Sequence, residues 1–192
     1  RINAASRMDH ANTAYELLRT GNEEEADWLA KRLEEKNSER RTIVEKILNE
    51  LSLKLEQSSL SSVIFEGSSD WPAGVLGIAA NRLVERFHRP VFLYSIVNDA
   101  VVKGSCRAPQ GVNVVDLMRG AENLFSDFGG HPLSGGFSAL PEKVAELREK
   151  IIELGDHLDY DASASPREAD IEISLDDVSE NLFEDIQTLQ PF

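Results

Sequence analysis

Between Ser126 and Phe137 the chain reads Ser-Asp-Phe-Gly-Gly-His-Pro-Leu-Ser-Gly-Gly-Phe, with four glycines in twelve residues and one of only four histidines at its centre. Glycine lacks a Cβ, so this stretch can follow backbone paths closed to other residues and come close to a neighbour. The pattern predicts a tight turn in which Gly129 and Gly130 lead into His131. Backbone N–H groups in such a turn can face an anion, and an imidazole can donate to a phosphate or stack on a base. An ordinary Gly-rich turn with a surface histidine has the same composition.

The flanking sequence supplies the elements around that stretch. Val63-Ile64-Phe65 reads as a buried strand and Asp70 to Gly74 as a turn, and the apolar spacing from Val75 to His88 reads as a helix. Pro90 to Ile96 and Ala100 to Arg107 read as partner strands with a turn at Asn98-Asp99. Asn113 is a candidate N-cap for a helix through Leu124, with Val114, Leu117, Ala121 and Leu124 facing inward. Gly136 to Leu140 is a further short strand, and Pro141 opens a helix running to about Leu158. The order β-α-β-β-α-β-α over 62–158 predicts an α/β fold with a small mixed sheet flanked by helices.

A long connecting helix is expected before this unit. Asn22 caps a run that starts with Glu23-Glu24-Glu25, and Ala26, Leu29, Leu33, Ile43, Ile47 and Leu51 form a stripe over 23–51. Upstream, Ala11 to Thr20 reads as a short helix. Arg1 to His10 is a polar stretch with small residues between two arginines, whose guanidinium groups suit phosphates. Asp9-His10 alone makes no metal site. At the other end, 161–170 is an acidic linker. Ile171 to Leu175 alternates like a half-exposed strand, and Val178 to Leu189 reads as a short helix.

Composition narrows the classes. No apolar run is long enough for a membrane span, no signal peptide is visible, and the single Cys106 cannot form an intramolecular disulfide or a cysteine-built zinc site. This fits a reducing cytoplasm. The net charge of −14 looks wrong for a nucleic-acid protein, but residues 151–192 hold twelve acidic residues against one basic and supply most of it. The Gly-His region is nearly neutral and can hold a phosphodiester locally, without a broad non-specific DNA surface. The chain starts at Arg1 without a methionine and is expected to be a piece of a longer polypeptide.

Three stretches, in order, resemble the RecJ family of single-strand-specific exonucleases within the DHH phosphoesterase superfamily. They are Trp71-Pro72-Ala73-Gly74-Val75-Leu76-Gly77-Ile78-Ala79-Ala80-Asn81-Arg82-Leu83, Lys103-Gly104-Ser105-Cys106-Arg107 and Phe128-Gly129-Gly130-His131. They are similar to the DHH-associated substrate-binding domain. Arg1 to Arg7 resembles the segment that closes the catalytic lobe, and the tail from about Asp170 resembles the run into an OB-fold. The sequence departs from the family pattern at Ser6, at Cys106 and at Ala108, and Pro72-Ala73 replaces a frequent His-Pro.

The resemblance implies four parts: 1–21 as the end of the catalytic lobe, 22–61 as connecting helix and linker, 62–158 as the substrate-binding domain, and 159–192 as acidic linker and OB-fold start. It implies a full-length, metal-dependent 5′→3′ single-stranded DNA exonuclease of repair and recombination, cytoplasmic and monomeric, whose Mn or Mg ions bind outside this chain. The chain itself is then expected to carry no metal ligands or catalytic residues and to be inactive alone. Arg107, Ser105 and Gly104 would hold phosphate, His131 with Gly129 and Gly130 would contact a phosphate or nucleotide, and Arg1, Asn3 and Arg7 would lie at the lobe junction. Trp71 is expected to pack rather than stack on a base, Arg82 to be exposed, and Cys106 to be a packed side chain. Three other readings share parts of the pattern. They are a nanoRNase or cyclic-dinucleotide phosphodiesterase, a non-catalytic RecJ-related replication scaffold, and an appendage like that of alanyl-tRNA synthetases.

Overall fold

The computed structural model describes residues 2–8, 11–56, 60–160 and 171–189. Arg1, the Asp9-His10 pair, residues 57–59 of the first linker, the acidic linker at 161–170 and the last three residues lie outside it.

The N-terminal stretch is helical. α1 (Ile2–Met8) lies in the polar stretch, to which the sequence pattern assigns no element, and α2 (Asn12–Arg19) follows. Then comes α3 (Glu23–Glu56), a helix of 34 residues, about 51 Å long at 1.5 Å per residue. Its start is as the sequence suggests: the Glu25 amide donates to Asn22 Oδ1 at 3.1 Å. Its first turn is acidic, which suits the positive end of the helix dipole.

The narrow stripe of α3 serves two neighbours in turn. Leu33 packs with Ala14 and Leu17 of α2. Further along, Val44, Ile47, Leu51 and Leu55 join the core of the α/β unit. A helix polar on most of its surface is thus held along its length by burial on one side.

The α/β unit contains β1 (Ile64–Ser68), α4 (Ala73–Phe87), β2 (Val91–Asn98), β3 (Val101–Arg107), α5 (Val114–Arg119), β4 (Asp127–His131), β5 (Ser134–Ala139) and α6 (Val144–Asp156). The sheet order is β1-β2-β3-β5-β4. β1 and β2 are parallel, joined through α4, and every other pair is antiparallel. This is the expected mixed sheet with one strand more than the sequence pattern showed.

Strand alternation divides the core in two. Ile64, Val91 and Leu93 pack under α4 with Val75, Leu76, Ala79 and Leu83. Phe65, Phe92, Cys106 and Phe137 point to the other face, against Leu117 and Met118 of α5 and Leu147 and Ile151 of α6. Phe65 and Phe92 stack with centroids 5.9 Å apart, and Phe137 closes the row at 5.9 Å from Phe92. Such offset aromatic contacts add about 1 kcal/mol each beyond their buried area.

Two local expectations change. The helix expected through Leu124 stops at Arg119, next to Gly120, and a single 3-10 turn covers Glu122–Leu124. Ile171 to Leu175 is not a strand: a 3-10 turn at Leu175–Asp177 follows extended backbone, capped by Ser174 and Asp177. α7 (Glu180–Thr188) then occupies the expected helix, with no buried residue.

Candidate nucleic-acid interface

The Gly-His stretch is not a turn. Asp127–His131 is an edge strand paired with β5, and the turn is Pro132-Leu133. That turn is pinned from both sides: Val114 N–H donates to the Pro132 carbonyl at 2.8 Å, and Ala108 N–H to the Leu133 carbonyl at 3.1 Å. His131 is therefore placed by a fixed hairpin end.

Register then defines one face. Opposed residues share a side of the sheet, and Val91 and Leu93 face α4 opposite Arg107 and Ser105. Extending the pairing outward gives three rows on the α4 side: Arg107–Ser134–His131, Ser105–Gly136–Gly129 and Lys103–Ser138–Asp127. Arg107 and His131 are two strand spacings apart, roughly 10 Å between backbones. The outer strands are not buried on this side: Asp127, Gly129, His131 and Gly136 are all exposed.

The floor is bare in the middle row. A side chain at Gly129 would meet no atom within 4 Å, and one at Gly136 would come no closer than 3.6 Å to another residue. An open groove of about 460 Å³ lies here, lined by Ala73 and Gly74 at the start of α4 and by Lys103, Asp127, Gly136 and Ser138. The first turn of a 15-residue helix contributes a partial positive charge to its edge.

Arg107 is half-buried against α4. Its Nη1 donates to the Cys106 carbonyl at 2.7 Å. A methyl group at Gly77 would sit 2.6 Å from its Nη2. Burial lowers its pKa below the ordinary arginine value, Cys106 acts in the opposite sense, and the Arg7 guanidinium lowers it further. Arg7 reaches this neighbourhood because α1 approaches α4 closely: a Cβ on Gly74 would overlap the Arg7 carbonyl oxygen. Among the described residues neither guanidinium is in an ion pair with a carboxylate. Two neighbouring guanidinium groups without an acid between them can attract an anion with several oxygens.

The structure brings together Arg107, Ser105, His131, Gly129 and Arg7. Gly104 and Gly130 are on the strands, and the absence of a side chain at each makes room for a neighbour. The missing side chain of Gly104 leaves room for the Phe137 ring, and that of Gly130, at φ +154°, for the backbone at Ser134. On the α4 side it is Gly129 and Gly136 that leave the sheet surface open. Asn3 is exposed on α1, its carbonyl accepting from Ser6 Oγ at 3.2 Å. Trp71 is buried and donates to Glu50 Oε2 at 3.0 Å, so it is a packing residue. Arg82 pairs with Glu45 on the surface. Cys106 is fully buried, and burial pushes its thiol pKa up to about 12. Lys103 was missed although the alternation Lys103-x-Ser105-x-Arg107 within β3 places it on the same face.

Among the described residues no three His, Cys, Asp or Glu side chains converge as a metal site. No described helix is long and apolar enough to cross a membrane.

With this geometry in hand, the chain belongs to the DHHA1 domain family, which it matches over residues 56–154. It is similar to single-stranded-DNA-specific exonuclease RecJ of Bacillus subtilis, 31% identical over 195 residues, covering 100% of this chain and 25% of that protein. Two crystal structures of RecJ from Thermus thermophilus share the fold. The complex with Mn²⁺ gives a TM-score of 0.74 at 30% identity over 81% of this chain and 23% of that one. The complex with Mg²⁺ gives 0.72 at 30% identity, covering 81% and 24%. The chain thus spans about a quarter of the length of these relatives.

Proposed function

We propose that this chain is the substrate-holding part of a RecJ-like, metal-dependent exonuclease acting on single-stranded DNA. The observation that carries the reading is the open face on which Arg107, Ser105 and His131 stand together, while among the described residues no carboxylate pairs with the Arg107 guanidinium. A phosphate would accept from Arg107 Nη2 and the Ser105 hydroxyl, with Arg7 adding charge and His131 contacting the neighbouring nucleotide. The bare Gly129–Gly136 floor would let sugar and base lie close to the sheet.

Phosphodiester hydrolysis needs an activated water and a stabilised leaving oxygen, which divalent ions supply in such enzymes. This chain's part is binding and alignment. Positioning alone contributes several kcal/mol to a reaction that requires in-line geometry.

The same reading divides the chain at 1–21, 22–61, 62–158 and 159–192, as the end of a catalytic lobe, a connecting helix, the substrate-binding domain and the approach to an OB-fold. The exposed Tyr15, Leu18 and Trp28 of the helical N-terminal part support that division, as apolar surface of the kind that packs against another body. In the whole protein we assign 5′→3′ digestion in DNA repair and recombination, in the cytoplasm, by a monomer using Mn or Mg bound outside this chain.

The test is fluorescence anisotropy of the chain with a 5′-phosphorylated single-stranded oligonucleotide at low salt, beside duplex of the same sequence. Preference for the single strand, lost in Arg107→Ala and reduced in His131→Ala, supports the reading. Equal binding by both variants contradicts it.

A further inference from the structure

We propose that Gly77 is a positioning residue that seats the Arg107 guanidinium, an inference that rests on the reading of this face as an anion site. Glycine is a poor choice for the interior of α4, because it is the least favourable helix residue after proline. The same buried turn carries alanine at 79 and 80, so a small side chain is tolerated next door. At 77 it is not. A methyl group there would lie 2.6 Å from Arg107 Nη2, 3.3 Å from Cζ and 3.6 Å from Nη1. The whole planar head is thus laid against the helix backbone, while Nη1 is held from the other side by the Cys106 carbonyl at 2.7 Å.

Gly74 is one turn earlier on the same face of α4, and its role differs. There the obstructed atom belongs to the Arg7 backbone, so a side chain would push α1 away from α4. At Gly77 the obstructed atoms are the end of a flexible side chain. Alanine at 77 therefore moves the guanidinium out of its seat and leaves the fold standing. The glycine pair brings Arg7 and Arg107 to one place: Gly74 by admitting α1, Gly77 by admitting the guanidinium.

The experiment compares the 192-residue chain with Gly77→Ala, Arg107→Ala and the double variant. Each is titrated into a 3′-labelled, 5′-phosphorylated single-stranded oligonucleotide and melted by circular dichroism. Gly77→Ala is expected to weaken binding roughly tenfold, the scale of one charge-assisted hydrogen bond, without lowering the melting temperature. The double variant is expected to bind no more weakly than Arg107→Ala, because Gly77 acts only through that residue. Losses that multiply in the double variant overturn the proposal. So does parental binding by Gly77→Ala when Arg107→Ala fails, a result that leaves the site reading intact. A Gly77→Ala chain that unfolds overturns the claim that the displacement spares the fold. Parental binding by all three variants overturns the site reading and this inference with it.

Discussion

The Phe137 ring lies across the Cα of Gly104 on the neighbouring strand, in the space a side chain at 104 would fill. The pair joins the two faces of the sheet. On one side it completes the aromatic row of Phe65, Phe92 and Phe137, and on the other the backbone of Gly104 lines the groove. Gly104→Ala must push the ring out of a packed core. We expect a loss of about 1–3 kcal/mol in urea unfolding, the usual cost of overpacking. Phe137→Ala should cost about 3–5 kcal/mol by leaving a cavity.

Lys103 should contribute to binding through charge alone. It lines the groove, and Arg107, with Arg7 acting on it, shares the same side of the sheet; the proposed site counts these three cations. At about 0.7 counterions per phosphate neutralised on a single strand, the slope of log K against log salt should be near −2. Lys103→Ala should reduce that slope by about 0.7 and weaken binding equally across sequences, as read in anisotropy titrations at several salt concentrations.

Cys106 should make stability fall at alkaline pH. Its thiol is raised from 9.0 to about 12 in the fold, so the folded state keeps a proton that the unfolded state loses. The contribution is whole below pH 9 and is lost as pH rises toward 12, at about 1.4 kcal/mol per pH unit within that window. Urea unfolding at pH 8 and pH 10 should show this loss in the parent and a smaller one in Cys106→Ala. The native thiol should also resist alkylation at pH 8.

Trp71 should matter for folding and not for DNA. Its indole N–H is bonded to Glu50 of the long helix. Trp71→Phe should lower stability by about 1 kcal/mol or more through that hydrogen bond. Its affinity for a single strand should stay at the parental value, whereas a base-stacking role would weaken it in anisotropy titrations.

Much of the architecture was legible because burial wrote it in periodic form. The stripes of α3 and α4 and the apolar runs of β1, β2 and β3 follow from one-sided or two-sided packing. β4 was hidden for the opposite reason: Asp127-Phe128-Gly129-Gly130-His131 has two glycines and no alternation of apolar side chains. Its strand conformation comes from pairing with β5, a partner brought back by the Pro132-Leu133 turn. Ile171 to Leu175 shows the reverse, alternation without a paired strand among the described residues. In the candidate site, Arg107, Ser105 and His131 are candidates from the sequence alone, yet their common face is not visible there. That face follows from register, which joins residues 107, 134 and 131 across three strands.

The most direct measurement is the side-chain Nε–Hε NMR signal of Arg107, followed as a 5′-phosphorylated single-stranded oligonucleotide is added. A strand held on the Arg107 face should move this signal, together with the amides of Ser105, Gly129, Gly136 and His131, and leave the amides of α6 on the opposite face in place. Unchanged signals from Arg107 and its row, with shifts elsewhere on the chain, would contradict that placement.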